Sequence, residues 1–192
     1  MIRHRSGGAR GRVVGALAAL LILAGLLLIG YSLLVRDPLA ISALFGPEAP
    51  ENPAMTLTVP AMDRVEEVPV YNGPANDKKA LHDGTLHLDD TGFPWQQGSN
   101  VYIAGHRLGF PATQSYLVFW DLNELRNGDE VVVTDANGTR YTYTVFEKFV
   151  VGPSAYRVTR PLPGRSIISL QTCTLPDYSE RLVVRAELVS VV

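Results

Sequence analysis

The side chains best suited to nucleophilic chemistry in this 192-residue sequence are one cysteine, Cys173, and four histidines. Cys173 ends the run Ile167-Ile-Ser-Leu-Gln-Thr-Cys, and Arg181 opens the next apolar run, a short loop away. A thiol that attacks a carbonyl needs a base within reach and a donor for the oxyanion that develops. His106 is the best placed of the histidines. It follows the apolar run Val101-Tyr-Ile-Ala-Gly, and a strand end holds a side chain rigidly while the adjoining loop leaves access. Cys173, His106 and Arg181 are therefore a candidate acyl-transfer set. The residues alone leave two other readings of Cys173 open: a small buried hydrophobe and half of a disulfide between chains.

The other histidines say less. His4 lies in a basic N-terminal stretch, His82 in the polar turn Leu81-His82-Asp83-Gly84, and His87 in the strand-like run Thr85-Leu-His-Leu. A zinc site from His87, His106 and Cys173 has no supporting C-x-x-C or H-x-x-x-H spacing, so no metal is expected. The acidic pairs Glu66-Glu67 and Asp89-Asp90 lack EF-hand spacing and read as solvated surface. No cofactor is expected.

The elements that must position these residues are mostly strands. From residue 56 onward short apolar runs alternate with turn clusters, and Asn137-Gly138 between Glu130-Val-Val-Val-Thr-Asp and the run from Thr139 is a strong hairpin signal. Residues 122–129 predict one or two helical turns, stopped at Asn127-Gly128. Many short strands with little helix predict a sandwich or barrel. In the run from Arg181, residues Leu182, Val184, Ala186 and Leu188 share one face, and Arg181, Val183, Arg185 and Glu187 the other. Arg181 and Arg185 thus both point off the apolar face.

The N-terminal part is different in kind. Four arginines among residues 1–12 lead into residues 13–35, which carry no charge. Twenty-three such residues are long enough to span a bilayer. A cleaved signal peptide is the rival reading, but the apolar run is long and ends in a poor cleavage site. The basic flank predicts an uncleaved anchor with its N-terminus in the cytoplasm. Residues 36–55, with four prolines, read as a juxtamembrane linker with a short helix at 39–45. Residues 56–192 are then an extracytoplasmic domain. Beyond Arg36 the chain has 12 basic and 19 acidic residues, a formal charge of −7. That argues against nucleic acid as a partner and offers no cationic patch for anionic lipid. A single cysteine also rules out an internal disulfide.

At these residues the sequence resembles the sortases, membrane-anchored cysteine transpeptidases of mainly Gram-positive bacteria. Leu170-Gln171-Thr172-Cys173, a loop and Arg181-Leu-Val-Val-Arg185 resemble the family's Leu-x-Thr-Cys motif and its Arg-led strand. Ile103-Ala104-Gly105-His106-Arg107 resembles the strand that ends in its histidine motif, and Leu122 to Asp129 its Leu-x-x-Leu-x-x-Gly-Asp segment. The likeness runs through nearly all of residues 56–192 in the right order. Ala186 stands where many members have glycine, a replacement of the class E-like, housekeeping type, and residues 108–122 form a long stretch after the histidine.

The resemblance implies an all-β fold: a closed barrel of about eight strands with one or two short helices, preceded by the transmembrane helix. It implies that Cys173 attacks the Thr–Gly bond of an LPxTG- or LAxTG-like sorting signal, that His106 moves protons, and that Arg181 holds the carbonyl. Arg185, of the same strand parity, is the competitor for that last role. Thr172 and His87 are implied as supporting residues near the groove. The partners implied are sorting-signal proteins and an amine acceptor, either peptidoglycan precursor or pilin lysine. A cysteine hydrolase of the same motif and a non-catalytic anchored β-domain that binds peptide or wall polymer remain the alternatives.

Overall fold

The computed structural model describes residues 8–36 and 47–192, in two compact units, one ending at Gly46 and one running from Pro47 to Val192. The helix expected at residues 39–45 lies outside the described residues.

In the first unit a single helix, α1, spans Gly8–Arg36. Its 29 residues reach roughly 43 Å at ~1.5 Å per residue, more than the ~30 Å hydrocarbon layer of a bilayer. Between Val14 and Ser32 none of its residues is buried, and leucines and isoleucines point outward on every side. A soluble helix would hide one stripe and wet the other. α1 is instead long and apolar enough to cross a membrane.

In the second unit eight strands close into a barrel. They are β1 (Met55–Thr58), β2 (Val68–Gly73), β3 (Thr85–Leu88), β4 (Asn100–Ala104), β5 (Glu130–Asp135), β6 (Arg140–Val151), β7 (Ile167–Cys173) and β8 (Arg181–Val191). Around the barrel the order is β1-β2-β3-β4-β7-β8-β6-β5, with β5 returning to pair with β1. Six of the eight pairings are antiparallel. The β2–β3 and β4–β7 pairs are parallel and need crossovers. A short helix, α2 (Lys78–Asp83), makes the first crossover. The long connection from β4 to β7 makes the second, with β5 and β6 intervening in sequence.

The alternation expected along β8 holds: Leu182, Val184 and Ala186 are in the barrel core with Val101 and Ile103 of β4 and Ile168 and Leu170 of β7. The opposite faces of these strands carry a second, smaller cluster, Tyr102, Val158 and Val183, with Leu88, Phe149, Val151 and Ala155 packed against it. That outer cluster is the bed of the site described below. The expected β5–β6 hairpin is present, with Thr134 opposite Arg140. Asp135 Oδ1 accepts from the amides of Asn137 and Thr139, and Gly138 takes the positive φ of 85° that the turn requires. Of the one or two helical turns expected over residues 122–129, the structure has one, a 3-10 turn at Leu122–Glu124. Leu122 and Leu125 are both buried there, so packing fixes the segment without further helical turns.

Candidate active site

Strand register brings the three sequence-selected residues to one place. In the antiparallel β7–β8 pair Cys173 lies directly opposite Arg181, a relation that sets Cβ atoms about 4.5–5.5 Å apart. In the parallel β4–β7 pair Ala104 lies opposite Gln171, and the Gly105 amide donates to the Gln171 carbonyl at 3.0 Å. β7 runs on to Cys173 and the chain leaves β4 two residues before His106, so both reach the same end of the pair. All three line a groove of about 310 Å³ on the outer face of the barrel. Leu81 of α2, Leu88, Tyr102 and Gln171 line it as well, and Ala155, Tyr156, Val158 and Thr159 of the β6–β7 connection form a wall.

The tight turns that hold these residues are built locally. Between Cys173 and Arg181 the chain folds back on itself: the Thr174 amide donates to the Glu180 carbonyl at 3.0 Å and the Tyr178 amide to the Thr174 carbonyl at 3.0 Å. Arg181 Nη1 donates to the carbonyls of Tyr178 and Glu180, at 3.0 and 2.9 Å. Among the described residues, its Nε and Nη2 have no protein acceptor, so half the guanidinium fork is available at the groove. At the other end of the site Thr172 points into the barrel and donates to the Gly105 carbonyl at 2.8 Å. It pins the peptide just before His106 from below, rather than facing the groove.

His106 sits in a crowded bend. Its carbonyl accepts from the Phe119 amide at 2.9 Å. A Cβ on Gly105 would come within 2.6 Å of the Phe119 ring, which is why this position needs glycine. One ring nitrogen, Nε2, is buried without a hydrogen-bond partner. Burial pushes the imidazole below its ordinary range, and the neighbouring His82 pushes the same way. The His82 ring lies 6.0 Å from that of His106, centroid to centroid, and packs edge-on to Phe110 at 5.0 Å.

His82 was not among the expected site residues. From sequence it falls in a polar turn, whereas it lies in the last turn of α2. The signals for that helix were present: Asp77 caps it by accepting from the Ala80 amide at 3.0 Å, and Gly84 ends it. Six residues are too few for periodicity to show.

Two other expected supporting residues stand away from the groove lining. His87 is fully buried. Its Nδ1 is 2.9 Å from Asn72 Oδ1 and its Nε2 is 3.0 Å from the Gly92 carbonyl, and its ring packs against Phe93. Arg185 lies beneath the groove. It donates to Glu147 at 3.2 Å and to the Val158 carbonyl at 3.3 Å, and its guanidinium lies 4.9 Å from the Phe149 ring centre. Beside it Tyr102 donates to Gln171 Oε1 at 2.9 Å. Burial pushes that phenol up to about 12, against the pull of Arg185 and Arg181, so it remains a neutral donor. Among the described residues no cluster of three or more His, Cys, Asp or Glu is arranged to hold a metal ion.

A thiol, an imidazole of lowered basicity and a half-free guanidinium on one groove can perform acyl transfer through a thioester. Comparison with known proteins points the same way. A family model for the sortase domain matches residues 57–189. Sortase A of Streptococcus agalactiae serotype III (strain NEM316) is 32% identical over 122 residues, which is 63% of this chain and 47% of that protein. The chain therefore spans about half the length of that curated relative. Among solved structures, sortase A from Corynebacterium diphtheriae superposes with a TM-score of 0.63 at 27% identity, covering 80% of this chain and 70% of that one. Sortase C1 from Streptococcus agalactiae gives 0.60 at 29% identity, covering 70% and 66%.

Proposed function

Because the chain belongs to the sortase family, we propose that it is a membrane-anchored cysteine transpeptidase that cleaves an LPxTG- or LAxTG-like signal between Thr and Gly. The observation that carries this reading is the shared groove of Cys173, His106 and Arg181, with Cys173 and Arg181 paired across two strands. In the first half-reaction Cys173 Sγ bonds to the threonine carbonyl carbon and the C–N bond to glycine breaks. His106 protonates the departing amine. In the second, an incoming amine attacks the thioester, the C–S bond breaks to return the Cys173 thiolate, and His106 takes the amine's proton, which restores the starting pair. Arg181 holds the carbonyl oxygen in both, because its charge is permanent and its donors are fixed in a fork. The amine belongs to a peptidoglycan precursor or a pilin lysine.

In this reading residues 1–12 are cytoplasmic, 13–35 cross the membrane, 36–55 are a linker and 56–192 work outside. The arginine-rich start supports that orientation. Ala186 supports a class E-like, housekeeping subtype.

The test is full-length protein in detergent, incubated with a sorting-signal peptide and oligoglycine and followed by mass spectrometry. A peptide joined to glycine through its threonine is expected, and Cys173→Ala should make none. Release of only the free acid at saturating amine, across several amines, would point to the hydrolase reading. No cleavage by the wild type would leave the peptide-binding module.

A further inference from the structure

The wall of the groove formed by the β6–β7 connection is an irregular segment. Apart from its 3-10 turn at Tyr156–Thr159 it has no regular structure, yet it supplies Ala155, Tyr156, Val158 and Thr159 to the groove lining. Such a segment would ordinarily pay for its ordering when a ligand arrives. Here one side chain from the barrel already fixes it. Asn100, the first residue of β4, is fully buried. Its Nδ2 donates to the carbonyls of Val158 and Arg160, at 3.0 and 3.1 Å. Its Oδ1 accepts from Ser169 on β7 at 2.8 Å, which dictates which end of the amide faces the wall. Both amide hydrogens are used, on two carbonyls two residues apart. Arg185 adds a second donor to the Val158 carbonyl at 3.3 Å, and the Val158 side chain packs on Tyr102 and Val183.

We propose that Asn100 is the positioning residue of the peptide groove, clamping the β6–β7 wall in its substrate-ready form through the Val158 and Arg160 carbonyls. This rests on the reading that the groove takes the sorting peptide. The clamp acts on binding and is remote from bond making, since Asn100 does not line the groove that holds Cys173 and His106.

The test is Asn100→Asp in the full chain in detergent, which keeps the acceptor for Ser169 and removes both donors. Amide hydrogen exchange across residues 152–166 should quicken by an order of magnitude or more. KM for the signal peptide should rise about tenfold while kcat stays within about twofold, since the Arg160 carbonyl loses the Asn100 donor and the Val158 carbonyl is left with Arg185 alone. Ser169→Ala, which frees the amide to turn without burying a charge, should move both readouts in the same direction by less, and carries the test if the aspartate variant fails to fold. Unchanged exchange in the wall, or a fall in kcat at constant KM, would overturn the proposal. Exchange reads the clamp whether or not peptide is cleaved. A protein that shows the clamp and no turnover refutes the transpeptidase reading alone.

Discussion

The mouth of the groove and the floor beneath it are made from the same strands, yet they differ in one respect. At the floor most polar groups are spent. Tyr102 is bound to Gln171, Asn100 to two carbonyls, and Arg185 to Glu147 and Val158, although its Nε is left buried and unpartnered. At the mouth polar groups are held in place with capacity to spare. Arg181 uses one nitrogen on its own turn, and His106 Nε2 has no partner. The two histidines repeat the contrast: His87 has partners at both ring nitrogens. Unused hydrogen-bonding capacity on a fixed backbone is what a transition state needs, because charge that develops there meets donors already in position. Residue type does not separate the two regions, since each has an arginine from β8.

The two arginines give the sharpest way to break this contrast. Arg181→Lys keeps the charge and loses the fork. Turnover of a sorting peptide should fall by roughly 10²–10³, the cost of one oxyanion donor, with little change in melting temperature. Arg185→Lys should do the reverse. Its guanidinium ties β8 to β6 and to the groove wall, so the melting temperature should drop by a few degrees, about 1–2 kcal/mol, while kcat stays within a few-fold. If Arg185→Lys costs more turnover than Arg181→Lys in folded protein, the assignment of mouth and floor is wrong.

A smaller effect is expected at His82. Burial and the neighbouring His82 both hold His106 below the ordinary histidine range. Activity that needs a protonated His106 is lost as pH rises through the pKa of His106. His82→Phe removes the neighbouring imidazole and keeps an aromatic ring against Phe110, so His106 should titrate higher. The alkaline limb of kcat/KM that His106 controls should move upward, and an NMR titration of the His106 ring should move with it. An unchanged His106 titration would make His82 a packing residue only.

What could be read from the sequence and what could not divide along the same physical line. Alternation in Leu182, Val184 and Ala186 gave the inner face of β8 because side-chain period is a local property. It could not separate Arg181 from Arg185, which share parity. Their difference comes from register, which sets Arg181 opposite Cys173 at the rim and Arg185 opposite Glu147 on the other side, and from the β6–β7 wall folded over the second. The parallel pairing of β4 with β7 has no local signature either, so the approach of His106 to Cys173 was legible only through resemblance. His82 was missed for a third reason. A six-residue helix leaves a cap and a glycine as its whole signature, and nothing in that signature tells that its last turn abuts His106. Asn100, just ahead of the apolar run that starts at Val101, carries no signal in the sequence, because its wall partners lie about sixty positions away.

The least dramatic contrast, between His87 and the site, is testable through stability. Burial lowers the His87 pKa, and the Gly92 carbonyl, Asp89 and Asp90 offset this only in part. An unfolded histidine titrates near ~6.5, so below that pH the unfolded chain binds a proton that the folded chain resists. Stability therefore falls as pH drops through the unfolded value toward the lower folded one. His106, shifted the same way, adds to the loss. His87→Gln keeps a polar group that can bond to Asn72 or Gly92 but cannot titrate. The variant should melt lower than the wild type at pH 8, yet lose less between pH 8 and pH 5, so that the two melting curves converge as the medium is acidified. Its kcat at the optimum pH should match the wild type within about twofold, since His87 reaches no groove atom. Parallel melting curves would mean that His87 stays neutral or charged in both states alike. A large loss of kcat in stable protein would instead place His87 among the residues of the mouth, and the spare-capacity criterion would have failed at the residue where it makes its clearest negative statement.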